Sequence, residues 1–187
     1  MSQTSQSQAQ GQPVQRVVYG GYAGGKPNPT ERDRIVHLLD VYRSTEGFVA
    51  QYLPKWIEVS PSEAVKGGLR TVQAREAAHA RLMKARLMEL GERAEAEVSE
   101  ERRQKEVPFF SSPQISDREK LQVLANLFGN PDAFLKPVTD LVNGIKDDLQ
   151  TQELLRTIAD DEYESIKWIQ AMSKALNQAE GQPKKAS

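Results

Sequence analysis

The chain has 187 residues, no cysteine, two histidines (His37 and His79) and a formal net charge of -1 from 25 basic and 26 acidic residues. These counts exclude disulfides, thiolate nucleophiles, zinc ribbons and iron–sulfur ligation, any site built on three imidazoles, and the basic excess of a general nucleic-acid binder. About 150 residues suffice for one sizeable core, no apolar run approaches the ~20 residues of a membrane helix, and the N-terminus lacks the basic start and apolar stretch of a signal peptide, so a cytoplasmic location is expected.

Residues 1–29 stand apart. Six of the first fifteen are Gln, and a Gly-rich stretch from Gly20 to Gly25 ends in Lys26-Pro27-Asn28-Pro29. Such a segment buries too little apolar surface to offset its ordering entropy, which predicts a disordered arm. Its glycines lack the G-x-G-x-x-G spacing and the strand–helix setting of a phosphate cradle.

From Thr30 the apolar positions recur at three and four, the helical period. The first helix is predicted to start at Thr30, with Asp33 three residues on, and its seam reads Ile35, Leu39, Tyr42, Glu46, Val49, Leu53, Trp56. Ser60, Pro61 and Glu63 predict the next start, with Pro in the first helical position and Glu completing a capping box. The second seam is Leu69, Val72, Glu76, His79, Met83, then Arg86 or Leu87, and Leu90. Residues 92–106 are expected to continue as a charged, exposed, helical crossover, and the run from Pro108 to Pro113 to break it. Ser116 and Glu119 form another capping box ahead of a short helix with Leu121, Leu124 and Phe128. A further helix carries Phe134, Val138, Leu141 and Ile145, with Pro137 as a kink or in its first turn. The last helix runs from Asp147 or Asp148 to about Asn177, along Leu155, Ile158, Glu162, Ser165, Ile169, Met172 and Leu176. The expected layout is all-α: an arm at 1–29, a four-helix bundle with one long crossover between the second and third helices at 30–178, and a flexible tail at 179–187.

An isolated carboxylate in an apolar seam costs several kcal/mol, roughly, unless it is paired, protonated or bound to a cation. Glu46, Glu76, His79 and Glu162 all occupy seam positions. Glu76 and His79 are three apart, hence on one helix face, with two small alanines between them. Three carboxylates and one imidazole delivered by three helices make a hard-to-borderline metal site suited to iron or manganese. Tyr42 lies one turn before Glu46, and Tyr163 flanks Glu162. Residues 147–165 hold seven acids and one base, whereas residues 66–93 hold seven bases and three acids, which predicts ion pairs between neighbouring faces.

The helix order, the crossover, and a first-helix Glu followed by Glu-x-x-His on the second resemble the ferritin-like superfamily of carboxylate-bridged di-iron proteins over residues ~30–178. The resemblance implies that Glu46, Glu76 and His79 supply one metal position. The family's fourth-helix Glu-x-x-His appears as Glu162-Tyr163-Glu164-Ser165, with Ser165 in place of the second His. The third helix carries no seam carboxylate, since Asp140 lies beside its seam and Asp117 near a helix start. His37 falls away from the seam, so one usable imidazole is left. What the resemblance implies is therefore a metal-binding protein with iron or manganese at a single or half site, with oxidoreductase activity open to it and a homo-oligomer compatible with the bundle. The alternative is a non-catalytic helical scaffold or interaction protein that retains a degenerate site. No nucleic-acid or membrane partner is expected.

Overall fold

The computed structural model describes residues 28–180. The expected arm, apart from Asn28 and Pro29, and the tail from Gly181 lie outside the described residues. Six helices and no strand are found among the described residues: α1 Glu31–Val59, α2 Glu63–Glu89, α3 Glu100–Ser111, α4 Asp117–Phe128, α5 Pro131–Asn143 and α6 Leu149–Glu180. None of them is long and apolar enough to cross a membrane.

Local chemistry explains most of the boundaries. Thr30 caps α1 by accepting from the Asp33 N–H at 3.1 Å, while the Asp33 carboxylate accepts from the Thr30 N–H at 3.0 Å. Ser116 and Glu119 do the same for α4. Asp148 opens α6 by accepting from the Thr151 N–H at 2.9 Å. The start of α2 falls later than its sequence signals suggest. Ser62 is the cap, accepting from Val65, and Pro61 lies in the connector. Ser60 ends α1 instead, its N–H bonded to the Trp56 carbonyl.

The crossover differs from expectation in two ways. Residues 92–99 are not helical. A charged run without an apolar seam gains little from coiling, and here its backbone finds partners on α1: the Asp40 carboxylate accepts from the N–H groups of Glu95 and Ala96 at 2.9 and 2.7 Å. Val98 is buried as well. After this strap, α3 forms and continues through Pro108. Phe110 is buried, with its ring stacked on Tyr52 at 4.9 Å and tilted against Trp56 at 5.3 Å between centroids. That aromatic packing offsets the backbone bond lost at the proline. Pro137 likewise sits inside α5, which starts at Pro131. In α5 the buried face is Leu135, Val138 and Val142, one step round from the predicted Phe134 and Leu141.

Helix α1 packs along α2, α4 and α5 both pack on α6, α3 packs on α1, and α2 meets α6. The core falls into two apolar clusters. One gathers Phe48, Trp56, Leu69, Phe110, Leu121 and Ile169; the other gathers Ile35, Leu39, Met83, Leu87, Val138 and Leu155. On α1, α2 and α6 alike, the chain passes from one cluster to the other through Glu46, through Glu76 and His79, or through Glu162. A polar layer thus divides the core.

Helix α2 meets α6 at Gly68, where a Cβ would lie 1.9 Å from an indole carbon of Trp168. Gly68→Ala must expel that ring. The expected loss is about 1–3 kcal/mol despite the better helix propensity of alanine, read as a lower urea midpoint. An unchanged or raised midpoint would show that Trp168 does not seal this contact.

Candidate metal centre

Each of the four predicted seam residues faces the interior, and three of them present ligand atoms to one another. Glu46 arrives from the middle of α1, His79 from α2 and Glu162 from α6; one ligand atom from each lies within 4.8 Å of the others. His79 Nδ1 is 3.5 Å from Glu46 Oε2 and 3.5 Å from Glu162 Oε1. Ligand atoms held about 2.1 Å from a common ion in tetrahedral or octahedral geometry lie roughly 3–3.5 Å apart, so these spacings suit a shared cation. Glu46 Oε2, His79 Nδ1 and Glu162 Oε1 are buried and have no hydrogen-bond partner. Buried polar atoms are normally satisfied, and a group of three such atoms could hold an ion.

The other imidazole nitrogen is held. His79 Nε2 lies 3.1 Å from Asp161 Oδ2; a carboxylate there favours the tautomer with its hydrogen on Nε2, which would leave the Nδ1 lone pair for a metal. Asp161 is in turn 3.4 Å from Arg75 Nε. The guanidinium also donates to the Ser165 hydroxyl at 3.2 Å and to the Asp161 carbonyl at 3.5 Å. Where the ferritin-like pattern has a second His, Ser165 is therefore tied to an arginine.

Glu76 is buried but lies outside the group of three. It hydrogen-bonds to Glu46. Burial, with the charges of Glu162 and Glu46 close by, pushes the Glu76 carboxyl well above its usual range. Burial and Glu162 push Glu46 up to about 8, opposed by the hydrogen bond from Glu76. A proton shared between the two buried carboxyls accounts for both directions. For His79, burial pulls the imidazole down, but the nearby carboxylates of Glu162 and Asp161 outweigh it and hold it above its ordinary value.

Asp161 and Arg75 were not singled out as site residues by the seam reading, because neither lies in a seam. Their signal was the acid-rich α6 opposite the base-rich α2, and the predicted ion pairs are present as Arg75–Asp161 and, at 2.8 Å, Arg86–Asp148. Tyr42 is buried in the apolar cluster beside Ile35 and Leu39, while Tyr163 is partly exposed with the Lys167 ammonium 5.3 Å from its ring centroid. His37 is not among the clustered ligands. No known protein family, curated protein or solved structure matches the chain.

Proposed function

We propose that this chain is a ferritin-like bundle that binds one divalent metal ion, iron or manganese, through Glu46, His79 and Glu162. In this reading α1, α2, the α4–α5 arm and α6 are the four members, and the strap with α3 is the crossover. The observation that carries it is the convergence of three partnerless buried ligand atoms from three helices. Two carboxylates and a neutral imidazole balance a divalent charge, and an oxygen-rich set with one nitrogen suits iron or manganese. Such an ion, when bound, supplies Lewis-acid or redox chemistry, which leaves oxidoreductase activity open. The chain's own contribution is to fix the donors: Asp161 orients His79, Glu76 hydrogen-bonds to Glu46, and the apolar clusters on either side exclude water.

A second reading, a metal-free scaffold, is favoured by the Glu46–Glu76 hydrogen bond, which satisfies part of the layer with a proton. It leaves the three orphan atoms unexplained. Elemental analysis of protein from cells supplied with iron and manganese separates the two. The expected content is about one equivalent per chain, falling below roughly a tenth in His79→Ala and Glu46→Gln. Glu76→Gln, which can still donate to Glu46, keeps its metal. Less than about a tenth of an equivalent in the unaltered protein would leave the scaffold reading standing.

A further inference from the structure

The apolar cluster around Phe110 is interrupted beside the polar layer by a cavity of about 90 Å³, room for roughly three waters at ~30 Å³ each. Its lining is mixed. Glu46, Glu76 and Glu162 of the layer border it, and so do Arg102 and Glu106 of α3. The hydroxyl-bearing side chains of Thr45, Tyr52 and Ser165 line it as well. A purely apolar void stays dry, whereas one with several polar groups on its wall holds water. Glu106 is the carboxylate of this wall that does not belong to the layer. It comes from the helix that follows the strap, its side chain is 6% exposed, and Arg102 holds it through two contacts of 2.7 and 3.3 Å. The Arg102 side chain is 20% exposed and its guanidinium lies 5.4 Å from the Phe48 ring centroid. Arg102 thus touches both solvent and the cavity.

We propose that this cavity is a hydrated passage by which a divalent cation reaches Glu46 and Glu162, with Glu106 as the carboxylate that receives it and Arg102 as the charge that must move aside. The route rests on the metal reading; the hydration of the cavity does not. A cation crossing a protein interior needs oxygen partners on the way, because losing water without replacement is strongly unfavourable. The partly exposed stretch of wall formed by Leu127, Phe128 and Phe134 offers none. The side of the layer at Asp161 is spanned by Arg75, which holds both Asp161 and Ser165, and neither Arg75 nor Asp161 lines the cavity. On the α3 side the cation meets a carboxylate, water and hydroxyls. There the guanidinium repels it and competes for the same carboxylate, while the carboxylate itself draws cations in.

The test follows Co²⁺ uptake by the full chain in stopped flow, read from the visible absorption of the bound ion. Glu106→Gln keeps the shape but leaves the Arg102 charge unopposed, and should slow association about tenfold or more. Arg102→Gln removes the barrier and should speed association by about the same factor. Both variants should still bind one equivalent with the spectrum of the unaltered protein, and Kd should move less than the association rate, because neither residue holds the ion. A merely structural ion pair would shift both rates in one direction, since each variant breaks it. Glu101→Gln, which removes an exposed carboxylate from the same helix, should leave the rate unchanged and so separates the passage from general surface charge. In the metal-free, unaltered protein, NOEs from long-lived water to the methyl groups of Thr45 and Val49 should report the hydrated cavity, whatever any variant does. No Co²⁺ uptake by the unaltered protein would overturn the metal reading and the route with it. With Co²⁺ bound, rates that shift the same way in Glu106→Gln and Arg102→Gln, rates that respond to neither, equal slowing by Glu101→Gln, or a cavity without water NOEs would each overturn the passage alone.

Discussion

Metal-free protein is expected to lose stability as the pH is raised from about 5 to 8. Glu46 has a folded value of about 8 against an ordinary 4.5, and Glu76 is raised in the same direction. Folding therefore takes up protons in this window. The stability these groups contribute is complete below about 4.5 and is lost as the pH climbs through their folded values, at ~1.4 kcal/mol per pH unit and proton. His79, also raised, adds to the same trend above its ordinary 6.5. The expected total is on the order of a few kcal/mol between pH 5 and 8. Below that window the sign reverses. Burial would raise Asp148, but hydrogen bonds from Thr151 and Arg86 hold its carboxylate low, so its contribution disappears as the pH falls. Urea midpoints across the range should thus peak near pH 5, and saturating Mn²⁺ should restore the midpoint at pH 8 because the ion replaces the protons. A midpoint that rises steadily to pH 8 without metal would show that Glu46 and Glu76 are not held protonated.

Asp117→Ala should cost about 3–5 kcal/mol. Asp117, the first residue of α4, is buried and accepts from Trp56 Nε1 at 2.7 Å and from the Ser60 hydroxyl at 2.6 Å. Beside it Lys120, 1% exposed, donates to the Ser112 carbonyl at 2.8 Å, with its ammonium 5.6 Å from the Trp56 ring centroid. Burial pulls Lys120 down, and the Asp117 charge opposes that pull. Removing the carboxylate would orphan the Trp56 N–H, leave the Ser60 hydroxyl only its long bond to the Ser62 carbonyl, and leave a buried ammonium without its counter-charge. Asp117→Asn, which keeps one acceptor oxygen, should lose less. A loss under about 1 kcal/mol for the alanine variant in urea titration would show that this network does not join α4 to the end of α1.

Helix seams were legible because a period of three and four survives without tertiary information. Ile35, Leu39, Leu53, Trp56, Leu69, Met83, Leu155 and Ile158 are all buried as their spacing predicts. Glu46, His79 and Glu162 could be read for the same reason: each breaks an otherwise apolar stripe. Two kinds of residue could not be read this way. Asp117 and Lys120 look like an ordinary first-turn acid and a surface lysine until the end of α1 is laid against them. Asp161 and Arg75 lie at the edges of their helices, and only the α2–α6 contact makes them partners of His79 and Ser165. The strap at 92–99 is not legible in the sequence because its backbone is satisfied by α1, a long-range effect that propensity does not contain. Pro108 carries a helix-breaking signal that the ring stacking of Phe110 on Tyr52 overrides.

The polar layer between the two apolar clusters also bears on the register of α1, α2 and α6. Uniform apolar seams would let antiparallel helices slide by a turn at little cost. Here such a slip of α1 along α2 would move Glu46 away from Glu76 and His79 and place it against Val72 or Met83, with its carboxyl still buried and now without a polar neighbour. A single buried polar position can specify alignment in this way at the expense of stability. In this chain the same few residues that gather the candidate ligands also distinguish the one correct alignment of three long helices from its near neighbours.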